Sequence, residues 1–454
     1  MELFVVGAGY VGLTTAVGFA QLGHGVTVHD VDPAKLEALA DGRSPIYEPG
    51  LEVALRDGIA AGRLRFTAEA TPDSDAEVAI VCVPTPLDPG GLLSTSIVES
   101  VVGGLLAALG SDRTIVVRST LPLHGPDRLE IVAGGGTRAS IVVNPEFMRE
   151  GRALADFAAP TRVVVGFLAE RDRTAAERFA GLYASLGAPL IVADARSAVL
   201  VKLASNVFLG AKVAFADELA RLCDATGADV SVVADGLGLD PRIGRAFLDS
   251  GPGFGGSCLP EQAMAIAVET KRRDLDAPLL SSIATSNAVH QESLVVGIGR
   301  LLADGLAGAR IGLLGLAFKA NTDDVRQSPA LNLARSLRAH GATVLGYDPI
   351  ARATAQRADP DLATADSAID AVDGADAVVV ATEWPEFAAL DWPAVRARMR
   401  GDLVYDTRRT LVAAEVRAAG LRYVALGRAS VPADAVAAGD VAGAAALADP
   451  VARA

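Results

Sequence analysis

The chain has 454 residues, 51% of them apolar and 21% charged, which excludes wholesale disorder and suggests about three domains at roughly 150 residues each. A net charge of −14 excludes a general nucleic-acid or membrane surface, because both require a basic face. Three cysteines in so long a chain do not form a disulfide framework. Met1 runs into the apolar Leu3–Val6 without a basic leader, and runs such as Val101–Leu109 and Val378–Ala381 are shorter than the ~20 residues of a membrane span. A reduced, cytoplasmic protein is expected.

The N-terminus reads as a βαβ unit. Strand Leu3–Val6 enters the turn Gly7-Ala8-Gly9-Tyr10-Val11-Gly12, a helix follows to about Leu22, and strand Val26–His29 ends on Asp30. Gly7, Gly9 and Gly12 permit a tight turn, close approach of backbone to a pyrophosphate, and close strand–helix packing. The backbone at Tyr10 and Val11 opens the helix whose N-terminus receives that pyrophosphate. Asp30 can bind the ribose hydroxyls and would repel a 2′-phosphate, so NAD is expected rather than NADP. A ligand-free glycine turn would leave Asp30 little reason to end an apolar strand. Lys35 can reach the adenosine side, although a solvated helix charge is the simpler reading. Thr85, in Val83-Pro84-Thr85-Pro86, ends a strand at the edge where open α/β sheets bind ligands; a structural turn explains it nearly as well.

Further strands are predicted at Glu77–Val83, Thr114–Val117, Ile141–Val143 and Arg162–Val165, and one long helix from Arg196 to about Thr226. From Leu301 the α/β rhythm restarts. His24–Pro33 aligns without gaps to His340–Pro349, each after a strand, a glycine turn and a helix. In that alignment Asp30 faces Gly346, so one cofactor site is expected. The fold class is α/β: two Rossmann-like doubly wound sheets joined by a long central helix in a helical dimerisation segment. The expected domains are 1–195 (cofactor), 196–300 (central helical, carrying a cysteine loop), 301–430 (second Rossmann-like) and an Ala-rich tail at 431–454.

Cys258 follows the glycine-rich Gly251–Ser257, a loop that lets a substrate approach sulfur; a thiol there is a nucleophile if its thiolate is stabilised. Cys82, in a strand, and Cys223, in a helix, read as core. Lys202 and Asn206 stand four apart on the long helix, hence on one face. Lysine is rare in apolar surroundings unless paired or used, and this pair suits stabilisation of an oxyanion; snorkelling to solvent is the blander account. Glu146 and Glu150 follow strand Ile141–Val143 and suit base work or water orientation. No His/Cys/carboxylate cluster has metal-ligand spacing, and His124 and His290 read as ordinary polar residues.

Together Gly7–Gly12, Arg118-Ser119-Thr120, Asn144–Phe147, Lys202 with Asn206, Arg242-Ile243-Gly244, Gly253–Cys258, Ala317-Phe318-Lys319 and Arg326 resemble the UDP-glucose 6-dehydrogenase/GDP-mannose dehydrogenase family over residues 1 to about 425. The resemblance implies a four-electron, NAD-dependent oxidation of a nucleotide sugar's C6 alcohol to the acid, through a thiohemiacetal and thioester on Cys258. It implies that Lys202 and Asn206 polarise the substrate oxygen, that Glu146 is the hydrolytic base, and that Thr120 helps hold water. Glu150 would lie near the nicotinamide and Arg326 would contact NAD. Phe147, Phe247, Gly255, Phe318, Lys319 and Arg408 would line the sugar-nucleotide site, with Arg409 as the alternative to Arg408. Arg242 would reach a neighbouring subunit's sugar, which implies a homodimer or larger oligomer. One departure stands out: where the family has Lys-Asp after the thiol, this chain has Glu261-Gln262. Gln262 can orient water but cannot take its proton, and Glu261, if it faces the sulfur, disfavours the thiolate. UDP-glucose or dTDP-glucose is the leading substrate reading. GDP-mannose or a UDP-N-acetylhexosamine is the alternative, and a non-enzymatic nucleotide-sugar-binding protein the third.

Overall fold

Short apolar strands buried on both faces dictate a parallel sheet covered by helices on either side. The computed structural model describes residues 1–428 apart from 74, 111 and 135–138; the Ala-rich tail lies outside the described residues. By packing, the chain divides into two units: Met1–Gly210, Gly255–Thr285 and Ala317–Gln327 form the first, and Ala211–Phe254, Ser286–Leu316 and Ser328 onward form the second.

The first unit holds β1 (Glu2–Val6), β2 (Gly25–His29), β3 (Leu64–Thr67), β4 (Val78–Val81), β5 (Thr114–Val117), β6 (Ser140–Val143), β7 (Val163–Phe167) and β8 (Leu190–Asp194). Their order is β3-β2-β1-β4-β5-β6-β7-β8, with the crossover at β1 that defines a doubly wound sheet. On β1, Leu3 and Val5 pack on one face, against Leu13, Val17, Phe19 and Phe157, while Phe4 and Val6 face Val98, Val102, Leu105 and Leu129. All neighbours are parallel except β6 and β7. Between those two the only helix is the six-residue Ala153–Ala158, too short for a parallel crossover, so the strand returns alongside.

The second unit holds β9 (Arg310–Leu314), β10 (Thr343–Tyr347), β11 (Ala363–Thr364), β12 (Ala377–Val380), β13 (Leu403–Asp406) and β14 (Arg422–Ala425), in the order β11-β10-β9-β12-β13-β14. The internal echo is therefore structural, but its register differs from the ungapped alignment by two residues. Gly7 N–H donates to His29 O at 2.8 Å, and Gly315 N–H donates to Tyr347 O at 2.7 Å. Asp30 thus corresponds to Asp348, not Gly346, and the second sheet does carry an acid at that strand end. The two sheets differ in the segment that leaves the glycine turn. In the first, the helix Tyr10–Gln21 starts three residues after Gly7. In the second, residues 317–327 intervene before the helix Pro329–Ala339.

The predicted long helix spans Ala195–Thr226. By length and composition it is apolar enough to cross a membrane, unlike Val101–Leu109 and Val378–Ala381; its Lys202, however, is buried in a protein ion pair.

At Gly12 an added methyl would overlap the Gly7 carbonyl oxygen and press on Cys82. Gly12→Ala is expected to lower stability by about 2 kcal/mol or more and to weaken NAD binding. Urea unfolding and an NAD titration check this; wild-type values in both would contradict the close packing.

Candidate active site

The glycine turn is built from strand–helix geometry. Gly7 has φ +100°, and a side chain there would meet Cys82 O at 2.7 Å, whereas Gly9 has open space around its Cβ position. Gly9 is the N-cap of Tyr10–Gln21 and provides no side-chain cap, so the first amides of the helix fit a pyrophosphate. Asp30 Oδ2 accepts from Ala8 N–H at 2.8 Å and from Lys35 Nζ at 3.0 Å, and Oδ1 accepts from Asp32 N–H at 3.0 Å. Burial opposes its charge, but these donors hold the carboxyl below its usual value. An ionised Asp30 fits ribose hydroxyls, and Lys35 is drawn to it rather than left in solvent. Val11, within this turn, and Thr85, just after β4, are half-buried.

From β6 the chain enters Asn144–Gly151, where a buried ion pair forms. Lys202 Nζ lies 2.9 Å from Glu146 Oε1, with 5% and 7% side-chain exposure. Glu146 Oε2 accepts from Met148 N–H at 2.7 Å. Burial alone would raise Glu146, yet Lys202, Arg118 and the Met148 amide hold it below the usual carboxylate range. Asn206, one helical turn beyond Lys202, is also buried. The Lys202 ammonium stands 5.5 Å from the Phe147 ring, which carries the Arg162 guanidinium at 3.8 Å.

Cys258 is the first residue of the helix Cys258–Arg272, and Ser257 before it makes no side-chain cap. The residue is solvent-reachable, whereas Cys82 and Cys223 are buried as expected. Protein crowds its sulfur, and that desolvation raises the thiol; Lys202 lowers it again, and Glu146 opposes Lys202. The helix N-terminus also favours a thiolate. Gln262, one turn on, is buried with Oε1 lacking a hydrogen-bond partner among the described residues. Glu261 is raised chiefly by burial and responds to Arg326 and Asp324.

A second charged cluster lies at residues 317–327. Arg326 clamps Asp324, with Nη2–Oδ2 at 2.6 Å, and reaches Glu150 Oε1 at 3.3 Å. Burial, then Asp324, pushes Glu150 up to about 7, against the pull of Arg326 and Lys319. Arg326 O accepts from Gly256 N–H at 3.0 Å. Gly256 has φ +80°, and a side chain there would meet the Phe318 ring at 3.1 Å. Lys319 Nζ is 5.4 Å from that ring, and Gly255 beside it is buried. Thr120 is half-buried just beyond β5.

In the second unit Arg408 lies against Gly251, where a side chain would meet its Nη1 at 2.8 Å. Arg409 is engaged elsewhere, with Asp229 at 2.8 Å and Leu426 O at 3.0 Å, so Arg408 is the arginine beside the glycine loop. Phe247 holds a left-handed φ of +64°. Arg242 is 87% exposed and paired with Asp240, apart from Arg408 and Phe247 in contacts. His290, read from the sequence as an ordinary polar residue, is a core one. It is fully buried, its Nε2 lies 2.7 Å from Gly251 O, and Asp217 Oδ1 accepts from Gly251 N–H at 2.8 Å. Burial lowers His290 to about 4 and raises Asp217 to about 8, which leaves both uncharged at neutral pH.

Sequence reasoning missed Arg118, whose guanidinium bonds Thr15 at 2.9 Å, Tyr183 at 3.2 Å and Asn144 across the sheet edge. It also missed Asp324 and Glu48. For Arg118 its place in the block Arg118–Thr120 was the available signal; Glu48 and Asp324 carried none. No group of three or more metal-ligating side chains occurs among the described residues.

A doubly wound sheet with an uncapped glycine-turn helix, an acid at the second strand end and a thiol on a helix N-terminus defines an NAD-binding dehydrogenase. The sequence matches three parts of one family: its NAD binding domain at residues 1–187, its central domain at 196–289 and its UDP binding domain at 312–413. The chain belongs to the UDP-glucose/GDP-mannose dehydrogenase family and is a nucleotide-sugar dehydrogenase that uses NAD. A UDP-glucose 6-dehydrogenase of Rickettsia bellii is 36% identical over 431 residues, 94% of this chain and 99% of that protein. The structure of a UDP-glucose dehydrogenase from Pyrobaculum islandicum superposes with a TM-score of 0.84 at 37% identity, covering 94% of this chain and 98% of that one. A UDP-D-ManNAc dehydrogenase from Pyrococcus horikoshii gives 0.82 at 27% identity, covering 95% and 100%.

The ion pair yields a stability test. Lys202→Met is expected to cost about 3–5 kcal/mol, because Glu146 remains buried and uncompensated, while adding Glu146→Leu recovers much of that loss. Because the native Glu146 pKa is depressed, its contribution is present above the ordinary glutamate pKa and is lost as pH falls through the native value. Acidification should therefore weaken the wild type and relieve Lys202→Met. Urea unfolding across pH measures both; a single substitution no costlier than the double would remove the pair from this role.

Proposed function

We propose that the chain oxidises the C6 alcohol of UDP-glucose, or of a close relative such as dTDP-glucose, to the uronic acid through a thioester on Cys258. The observation carrying this reading is the solvent-reachable thiol on a helix N-terminus, under the opposing charges of the buried Lys202–Glu146 pair. Residues 1–195 would serve the cofactor, 196–300 the central segment and 301–430 the sugar nucleotide. NAD, when bound, supplies the hydride acceptor for each of two oxidations at C6.

C6 becomes an aldehyde by losing a hydride from carbon and a proton from its hydroxyl, the proton passing to solvent, while Lys202 and Asn206 hold the oxygen. The Cys258 thiolate then forms a C–S bond to C6, and the oxygen takes the electron pair of the carbonyl π bond as an oxyanion beside the Lys202 ammonium. Loss of the remaining hydride restores the carbonyl as a thioester. Water adds to that carbon, Glu146 accepts its proton, and the C–S bond breaks to return the sulfur as thiolate. Thr120 and Gln262 hold the water; the unpartnered Oε1 of Gln262 is suited to accept from it. Gln262 cannot serve as base, so that step falls to Glu146. Asp30, the backbone at Gly9–Val11, Thr85, Lys35, Glu150 and Arg326 would seat the cofactor, and Phe147, Phe247, Gly255, Phe318, Lys319, Arg242 and Arg408 the substrate.

UDP-glucose is favoured by the relatives at 36–37% identity. The likeness to a UDP-D-ManNAc dehydrogenase favours a UDP-N-acetylhexosamine as the second reading. A homo-oligomer is supported by the exposed Leu200, Phe208, Phe215 and Leu222 along the long helix, each 49% exposed or more, an apolar row that one chain leaves uncovered.

Two measurements check this. A nucleotide-sugar panel is expected to give two NADH per UDP-glucose in the wild type; Cys258→Ser should bind NAD normally yet form no acid. Undiminished acid formation by that variant would remove Cys258 as nucleophile, and turnover confined to another sugar would replace the substrate. In sedimentation the full chain is expected to be dimeric or larger, and Phe208→Glu with Phe215→Glu to release monomer; a monomeric wild type would overturn that assignment.

A further inference from the structure

Glu48 lies in the loop Ile46–Gly50, yet only 6% of it is exposed. A buried carboxylate demands donors, and several reach this one. Tyr10, the first residue of the glycine-turn helix, donates its hydroxyl to Oε2. Gly151 N–H donates to the same oxygen at 2.7 Å and to the Tyr10 hydroxyl at 2.8 Å. Ala153 N–H donates to Oε1 at 2.7 Å. Ala153 opens the helix Ala153–Ala158, whose own N-cap residue, Arg152, supplies no side-chain cap; Glu48 caps it from a distant segment. Gly151 has φ +77°, and any side chain there would meet Asn321 O at 2.6 Å, so its backbone is held on both sides. The carboxylate therefore ties the start of the dinucleotide helix to the end of the segment that carries Glu146 and Glu150.

We propose that Glu48 is a positioning residue for the dehydrogenase reaction: its buried carboxylate locks Tyr10 to the Gly151–Ala153 backbone, so that seating of the cofactor at the glycine turn and placement of Glu146 and Glu150 are set together. The inference rests on the reading that Glu146 and Glu150 act in the site. The carboxylate is required because the Tyr10 hydroxyl and the two amides all donate to it. Gln can keep the Ala153 bond through its oxygen and turn its amide toward the Tyr10 oxygen, whereas Ala loses every bond.

The test compares Glu48→Ala, Glu48→Gln and Tyr10→Phe in the full chain, on whichever nucleotide sugar the wild type oxidises. Per mole of folded enzyme, Glu48→Ala is expected to lower kcat about 10- to 100-fold, the scale of a misplacement near 1 Å, with Glu48→Gln recovering part of it. The second readout needs no turnover: NAD should slow amide hydrogen exchange in residues 144–153 of the wild type, and this protection should be lost in Glu48→Ala while calorimetry still detects NAD binding. Should Glu48→Ala not fold, Tyr10→Phe carries the test, since it removes one hydroxyl from the clamp and should lose the same protection. Wild-type kcat per folded enzyme, or NAD-induced protection of 144–153 equal to wild type in these variants, overturns the proposal. A wild-type chain that forms no NADH with any nucleotide sugar fails the functional reading instead, and leaves the exchange experiment to decide the clamp.

Discussion

The arrangement depends on a single ion pair out of water. Lys202 and Glu146 come from the long helix and from the loop after β6, and neither charge tolerates burial alone. Their 2.9 Å contact fixes the helix against the C-terminal edge of the sheet, where open α/β sheets bind ligands. It also sets two opposing fields at Cys258, since the ammonium favours the thiolate and the carboxylate disfavours it. On the proposed mechanism, an oxygen gaining negative charge beside Lys202 competes with Glu146 for the ammonium. That competition frees the carboxylate to accept a proton at the stage when water must be activated.

The two sheets show how one topology supports one cofactor site. Both place an aspartate after the second strand, and both aspartates accept from the amide that follows the glycine turn, Ala8 at 2.8 Å and Leu316 at 2.8 Å. Asp348 also takes Trp384 Nε1 at 3.2 Å and the amides of Ile350 and Ala351, so its carboxylate is consumed within the protein. Asp30 keeps the flexible side chain of Lys35 as partner. The difference lies in the surroundings of the acid rather than in its presence.

Beside the thiol stand Glu261 and Gln262, and the structure separates their effects. Glu261 belongs electrostatically with Arg326 and Asp324. Gln262 is buried with an open acceptor, a group that can align water without competing with Glu146 for its proton. Glu150, raised to about 7 by burial and Asp324, adds a carboxyl that is part protonated at neutral pH beside the same segment.

Local pattern was enough for much of this. Strand and helix periodicity, the three glycines, Asp30, the lysine stranded among Val199–Ala204 and the thiol after a glycine run could all be read along the chain, because each is a short-range signal. The register of the internal echo was misread because two similar segments aligned better than the hydrogen bonds do; only pairing of β9 with β10 shows which residue ends the strand. Glu48, Asp324, the partners of Arg118 and the buried Asp217–His290 contact were invisible for a different reason. A carboxylate or guanidinium in a loop looks solvated until folding removes its water, and which donor then replaces that water is decided by distant segments, as by Ala153 for Glu48 from 105 residues away. The sequence by itself determined the elements, the cofactor turn and the place of the thiol after its glycine run; the tertiary structure alone decided which charges were buried together, because desolvation is a property of the packed chain and of no single stretch of it.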